Sequence, residues 1–182
     1  RTPNMLFQEL IQKLDLEDFD ATSQELLLEL DQEDVNVEFS FARGVVKSSQ
    51  ENNLLSMYRR EVAAIPRMDR KEEFGFCMGV EFLWMRLKLA RAASGFSEDE
   101  IHRYPGVDDL KCTTCPSGRE RFCLGCAPVD LAGELRARLR ARTQEFVAAR
   151  NELMERHLFI VFRLLERYRY SGVPMEDLVQ EA

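Results

Sequence analysis

The sequence predicts an all-α protein, and three observations carry that expectation. Apolar residues recur at three- and four-residue spacing over most of the chain. Pairs of the form Ser/Thr/Asp-x-x-Glu stand in front of those runs as helix starts. Alternation of strand type is confined to Val35, Val37 and Phe39, read as a short strand or extended linker.

Taken in order, Met5, Leu6, Leu10, Ile11 and Leu14 predict a first helix. Thr22 with Glu25 reads as a capping box that opens a second short helix through Leu30, and Gly44 to Asn53 is polar enough to be a loop. A helix is expected from about Asn53 to Ala64, ending before Pro66, whose ring disfavours helical backbone at Ile65. Asp69 with Glu72 starts a long helix through about Ala93. Phe74, Cys77, Met78, Met85, Leu89 and Ala92 share one side of it and are its expected core face, with Cys77 a buried cysteine. Trp84, near Val80, Leu87 and Arg91, marks a second packing surface on the same helix. Ser97 with Glu100 caps a further turn of helix, and residues 104–129 read as irregular. Asp130 then opens a long helical stretch to about Tyr170, rich in arginine up to Arg142 and apolar from Phe146. Gly172 breaks it, and Pro174 suits the first turn of a last helix.

Charge is distributed unevenly. Residues 1–50 hold 4 Lys/Arg against 11 Asp/Glu, a net of -7, whereas residues 51–182 hold 21 of each. The acidic segment reads either as a solvated face or as a competitor of DNA for a basic channel, which would restrain the rest of the protein. The longest uninterrupted apolar run, Leu158 to Phe162, is far short of the roughly 20 residues a membrane helix needs. With no export signal at its start, a cytoplasmic protein is expected, and Arg1 in place of methionine marks a processed or partial chain.

Cys112, Cys115, Cys123 and Cys126 form C-x2-C-x7-C-x2-C. Two such turns can offer four thiolates to one Zn²⁺ at about 2.3 Å in a closed tetrahedron, which is a structural rather than a catalytic site. Metal would supply folding energy that so short an irregular stretch lacks. Lys111, Arg119 and Arg121 lie near enough in sequence to offset the excess negative charge. Two disulfides or an iron–sulfur cluster are the competing readings.

Two stretches carry a family pattern. Asn53 to Glu73, NLLSMYRREVAAIPRMDRKEE, resembles the segment called region 1.2 of housekeeping-type (sigma-seventy) bacterial sigma factors, through Met57, Tyr58, Arg60, Glu61, Pro66, Asp69, Glu72 and Glu73. Ala149 to Ala182 is similar to regions 2.1 and 2.2 of the same family, through Arg150, Asn151, Leu153, Leu158, Val161, Tyr168, Gly172, Asp177, Leu178, Gln180 and Glu181. Ser56, Arg59, His157, Phe159 and Ala182 depart from the family pattern, and a cysteine-bearing insert is not typical of it.

The resemblance implies four parts: an acidic segment 1–50, region 1.2-like helices 51–95, an insert 96–142 with the four-cysteine site, and region 2.1/2.2-like helices 143–182. It implies a helical sigma-domain-2-like fragment, and the cysteine spacing, not the resemblance, adds the expectation of a zinc-stapled insert. Its last helix, through Asp177, Gln180 and Glu181, would bind the clamp helices of the largest catalytic subunit of core RNA polymerase. Tyr58, Arg59 and Arg60, an aromatic beside two cations, would contact promoter DNA. An anti-sigma or other regulator protein is a possible further partner. No serine-nucleophile or phosphate-loop motif is present, and the abundant paired carboxylates fall on helix faces expected to be exposed, so no enzyme activity is expected. Two rivals stand beside this reading: a zinc- or redox-responsive regulator that docks on polymerase through sigma-like helices, and a generic helical interaction domain.

Overall fold

A computed structural model of the chain describes residues 3–41, 53–105, 133–168 and 170–181. The elements run β1 (Asn4–Leu6), α1 (Phe7–Lys13), α2 (Phe19–Gln32), β2 (Asn36–Glu38), α3 (Leu54–Ala64), α4 (Arg70–Ala93), α5 (Glu98–His102), α6 (Gly133–Leu165) and α7 (Met175–Glu181). A 3-10 turn, Glu166–Tyr168, follows α6. The protein is therefore mostly helical, and no described helix is long and apolar enough to cross a membrane. Two compact units divide it: Arg1–Phe39 with Phe74–Arg150, and Ser40–Glu73 with Asn151–Ala182.

In the first unit β1 and β2 pair in parallel, Asn4 opposite Asn36, Met5 opposite Val37 and Leu6 opposite Glu38. A parallel pair needs a long crossover, and α1 and α2 supply it. Met5 and Leu6, expected to open a helix, are strand residues, and the helix starts at Phe7. The second helix starts at Phe19, ahead of the expected cap at Thr22. The Thr22 hydroxyl instead lies inside the helix, donating to the Asp18 carbonyl at 2.9 Å and accepting from the Asp15 amide at 3.2 Å.

Helix α4 buries a face other than the expected one. Gly75, Phe76, Gly79, Phe82, Leu83, Trp84, Arg86, Leu87 and Ala90 are buried, while Phe74, Cys77, Leu89 and Ala92 are exposed and Met78 and Met85 half-buried. The two glycines explain the rotation. A Cβ at Gly79 would stand 2.6 Å from Phe7 Cζ, and one at Gly75 would stand 2.8 Å from Ile11 Cγ2, so α1 occupies the space those side chains vacate. Phe7 then packs edge-on against Phe76, with ring centres 4.9 Å apart. Trp84 lies on the buried side, stacked on Tyr104 at 4.4 Å and tilted against Phe146 at 5.1 Å.

A fully buried arginine sits at the centre of this unit. Arg86 donates to Asp31 Oδ1 at 3.0 Å, Glu145 Oε2 at 3.3 Å, and the carbonyls of Leu30 at 3.2 Å and Val35 at 2.7 Å. Glu145 also accepts from Arg142 at 2.6 Å and from the Val37 amide at 2.8 Å. Arg142 and Arg138 both reach Asp34 Oδ1, at 3.2 and 3.3 Å. Burial lowers the Arg86 guanidinium below its ordinary value and raises the Glu145 carboxyl above its own, against the attraction between them. Part of the N-terminal acidity is thus paired with the arginines of α4 and α6, which fixes the turn between α2 and β2.

The second unit holds α3, the first residues of α4, the end of α6 and α7. Asn53 Oδ1 caps α3 by accepting from the amides of Leu55 and Ser56 at 2.8 and 3.4 Å. Asp69 and Glu72 exchange the two hydrogen bonds of a capping box at 2.8 and 2.9 Å, as the sequence predicts. Gly172, at φ +80°, turns the chain where a side chain would be strained, and the Pro174 carbonyl accepts from the amides of Asp177 and Leu178 to start α7.

Candidate functional site

The predicted contact residues of the second unit sort into two clefts. Tyr58, on the second turn of α3, is half-buried with its ring 5.3 Å from that of Phe162. It lines a cleft of about 280 Å³ with Leu55, Met57 and Glu61 of α3 and with Glu176, Val179 and Gln180 of α7. Tyr58 and Gln180, assigned by sequence to different partners, therefore share one cavity.

Arg59, one residue further along α3, turns about 100° away and joins another surface. Its guanidinium lies 5.6 Å from the centre of the Phe162 ring. It lines a groove of about 490 Å³ with Val62, Ala63, Arg67, Phe159, Phe162, Arg163 and Glu166. Arg67 lies over the Phe159 ring at 4.5 Å. Arg60 is half-buried and lines neither cleft. The three consecutive residues thus do not form a single surface.

Asp177, Gln180 and Glu181 are all exposed on α7, as their three- and four-residue spacing predicts. Glu176, Val179 and Gln180 have the same spacing one register earlier and face the cleft, so Gln180 stands where the two sides meet. Glu176 was not among the expected site residues. Nor were Arg67, Phe159, Phe162, Arg163 and Glu166, although the last four recur at helical spacing where α6 ends.

His157 stands within this unit with Nδ1 2.7 Å from the Leu153 carbonyl and Nε2 2.9 Å from Glu73 Oε1, and its ring is stacked near Phe159. Glu73, whose side chain stays about half exposed, is thereby tied to α6. The four clustered cysteines, Cys112, Cys115, Cys123 and Cys126, lie outside the described residues, as does the cap expected at Asp130. Among the described residues no three His, Cys, Asp or Glu side chains are grouped to hold a metal ion.

Comparison of the chain with protein-family models, curated proteins and solved structures finds no match.

Proposed function

We propose that the chain is part of a sigma-type initiation factor that binds core RNA polymerase and contributes to promoter recognition. The observation that carries this reading is the motif from Tyr168 to Glu181, whose Asp177, Gln180 and Glu181 stand exposed on one side of α7. Two carboxylates and an amide on a short exposed helix suit a basic partner surface, and the clamp helices of the largest polymerase subunit are the partner the resemblance implies. The stretch from Met57 to Glu73 supports the promoter-binding half of the reading, with Tyr58, Arg59 and Arg60 as its DNA contacts. Because Tyr58 and Arg59 line different clefts, we assign base stacking to Tyr58 and phosphate contact to Arg59. Zn²⁺ on Cys112, Cys115, Cys123 and Cys126 is proposed as a structural staple of the insert.

The test is retention of core RNA polymerase by the immobilised chain at low and moderate salt. Retention that weakens as salt rises is expected, since the proposed contacts are between charges. Failure to retain core polymerase at low salt would leave the generic interaction domain as the better account.

A further inference from the structure

The groove around Arg59 carries more positive charge than a promoter contact through one arginine requires. Arg59, Arg67 and Arg163 enter it from α3, from the turn after α3 and from the last turn of α6. All three are exposed, and among the described residues none of them is ion-paired with a carboxylate. Among those residues Glu166 is the one acid lining the groove, which leaves a formal excess of two positive charges.

Two of these cations are held in place before any ligand arrives. Arg59 rests on Phe162 and Arg67 on Phe159, each within reach of a cation–π contact. A guanidinium above a ring can still offer N–H groups to a ligand, and these match phosphate oxygens two at a time. The floor is apolar, with Val62 buried beside the two rings. Arg59 and Glu166 also line a second cleft of about 260 Å³, walled by Leu55, Val173 and Met175. The cationic groove, at about 490 Å³, falls within the range of small-molecule sites, roughly 300–1,000 Å³.

We infer that this groove binds a nucleoside polyphosphate. The phosphate chain lies along Arg59, Arg67 and Arg163. The base enters the neighbouring cleft against Leu55, Val173 and Met175, and Glu166, at the junction, accepts from the sugar hydroxyls. Three cations without a carboxylate partner among the described residues suit an anionic ligand, their number suits more than one phosphate, and Leu55, Val173 and Met175 suit a base beside them. The inference does not depend on polymerase binding.

Calorimetric titration of the full chain with ATP, GTP, inorganic tripolyphosphate and an unpaired oligodeoxynucleotide tests it. One nucleoside triphosphate per chain is expected, bound at least about tenfold more tightly than tripolyphosphate. Arg163→Glu should weaken it about tenfold or more, and Arg67→Glu with Arg163→Glu further. Lys71→Glu, an exposed charge reversal in the same unit but outside the groove, should leave it unchanged. Among the described residues Arg163 has no ring contact of the kind that seats Arg67 on Phe159, so its single reversal keeps the test valid should the double variant fold poorly. Tripolyphosphate binding as tightly as the nucleotides would overturn the inference. So would equal losses in the Lys71 and Arg163 variants, or an oligodeoxynucleotide that binds while the nucleotides do not.

Discussion

Replacing Arg86 by methionine keeps a long helix-forming side chain but removes the guanidinium from a site with no solvent access. Four acceptors lose a donor: Asp31, Glu145 and the carbonyls of Leu30 and Val35. Asp31 is partly exposed and can take up water, whereas Glu145 is buried and, among the described residues, keeps Arg142 and the Val37 amide. Removing one partner of a buried ion pair costs about 3–5 kcal/mol. Against a domain stability of about 5–15 kcal/mol, that is a large share of the total. Urea unfolding followed by the fluorescence of Trp84, the sole tryptophan, reads the unit that contains Arg86. Glu145→Gln in the same chain removes the stranded charge, so the double variant should be more stable than the sum of the two single losses. The deficit of Arg86→Met should also depend on pH. Burial already holds the Glu145 carboxyl above its ordinary value, and loss of Arg86 raises it further. A group raised in the folded state favours folding below its unfolded value and loses that contribution as pH rises through its folded value. The variant should therefore recover part of its stability on acidification relative to the unsubstituted chain. A loss under about 1 kcal/mol, or strictly additive substitutions, would refute the assignment of Arg86 as the central tie of this unit.

Three further expectations follow from particular residues. Gly79→Ala should destabilise by about 1–3 kcal/mol through its clash with Phe7, outweighing the roughly 0.5–1 kcal/mol helix gain, whereas Gly133→Ala, which meets open space, should not; urea midpoints compare them. The Ser97 hydroxyl and amide hold the Glu100 carboxyl below its ordinary value, so its contribution to α5 is present above the unfolded value and is lost as pH falls through the folded one. Amide protection factors of residues 98–102 should therefore fall on acidification, and a flat profile would contradict this. Elemental analysis should find one zinc per chain, and replacing Cys112 and Cys126 by serine should abolish it.

Local signals in the sequence were the most legible. The caps at Asp69 and Ser97, the stop before Pro66 and the start of α7 after Pro174 each depend on residues within four positions of one another. The face of α4 was not legible, because ranking positions by apolar bulk favours Phe74 and Leu89 over Gly75, Gly79 and Arg86. Those three are buried for reasons held by distant residues: Phe7 and Ile11 fill the space above the glycines, and Asp31 and Glu145 neutralise the arginine. Strand β1 was hidden for the same reason, since three residues pair with a strand 32 positions later in the chain. At the candidate site, the exposure of Asp177, Gln180 and Glu181 followed from helical spacing, but the separation of Tyr58 from Arg59 required knowing where Phe162 lies.

We propose α7 as the docking element for core RNA polymerase. Binding of core polymerase by the full chain and by the Asp177→Lys/Glu181→Lys variant, each checked for an unchanged melting curve, tests it most directly. Both residues are exposed, so the fold should change by no more than about 0.5 kcal/mol per site. Close interfacial charge pairs couple by about 1.5–7 kcal/mol, so even the low end predicts about tenfold weaker binding. Undiminished binding by a folded double variant would contradict the account.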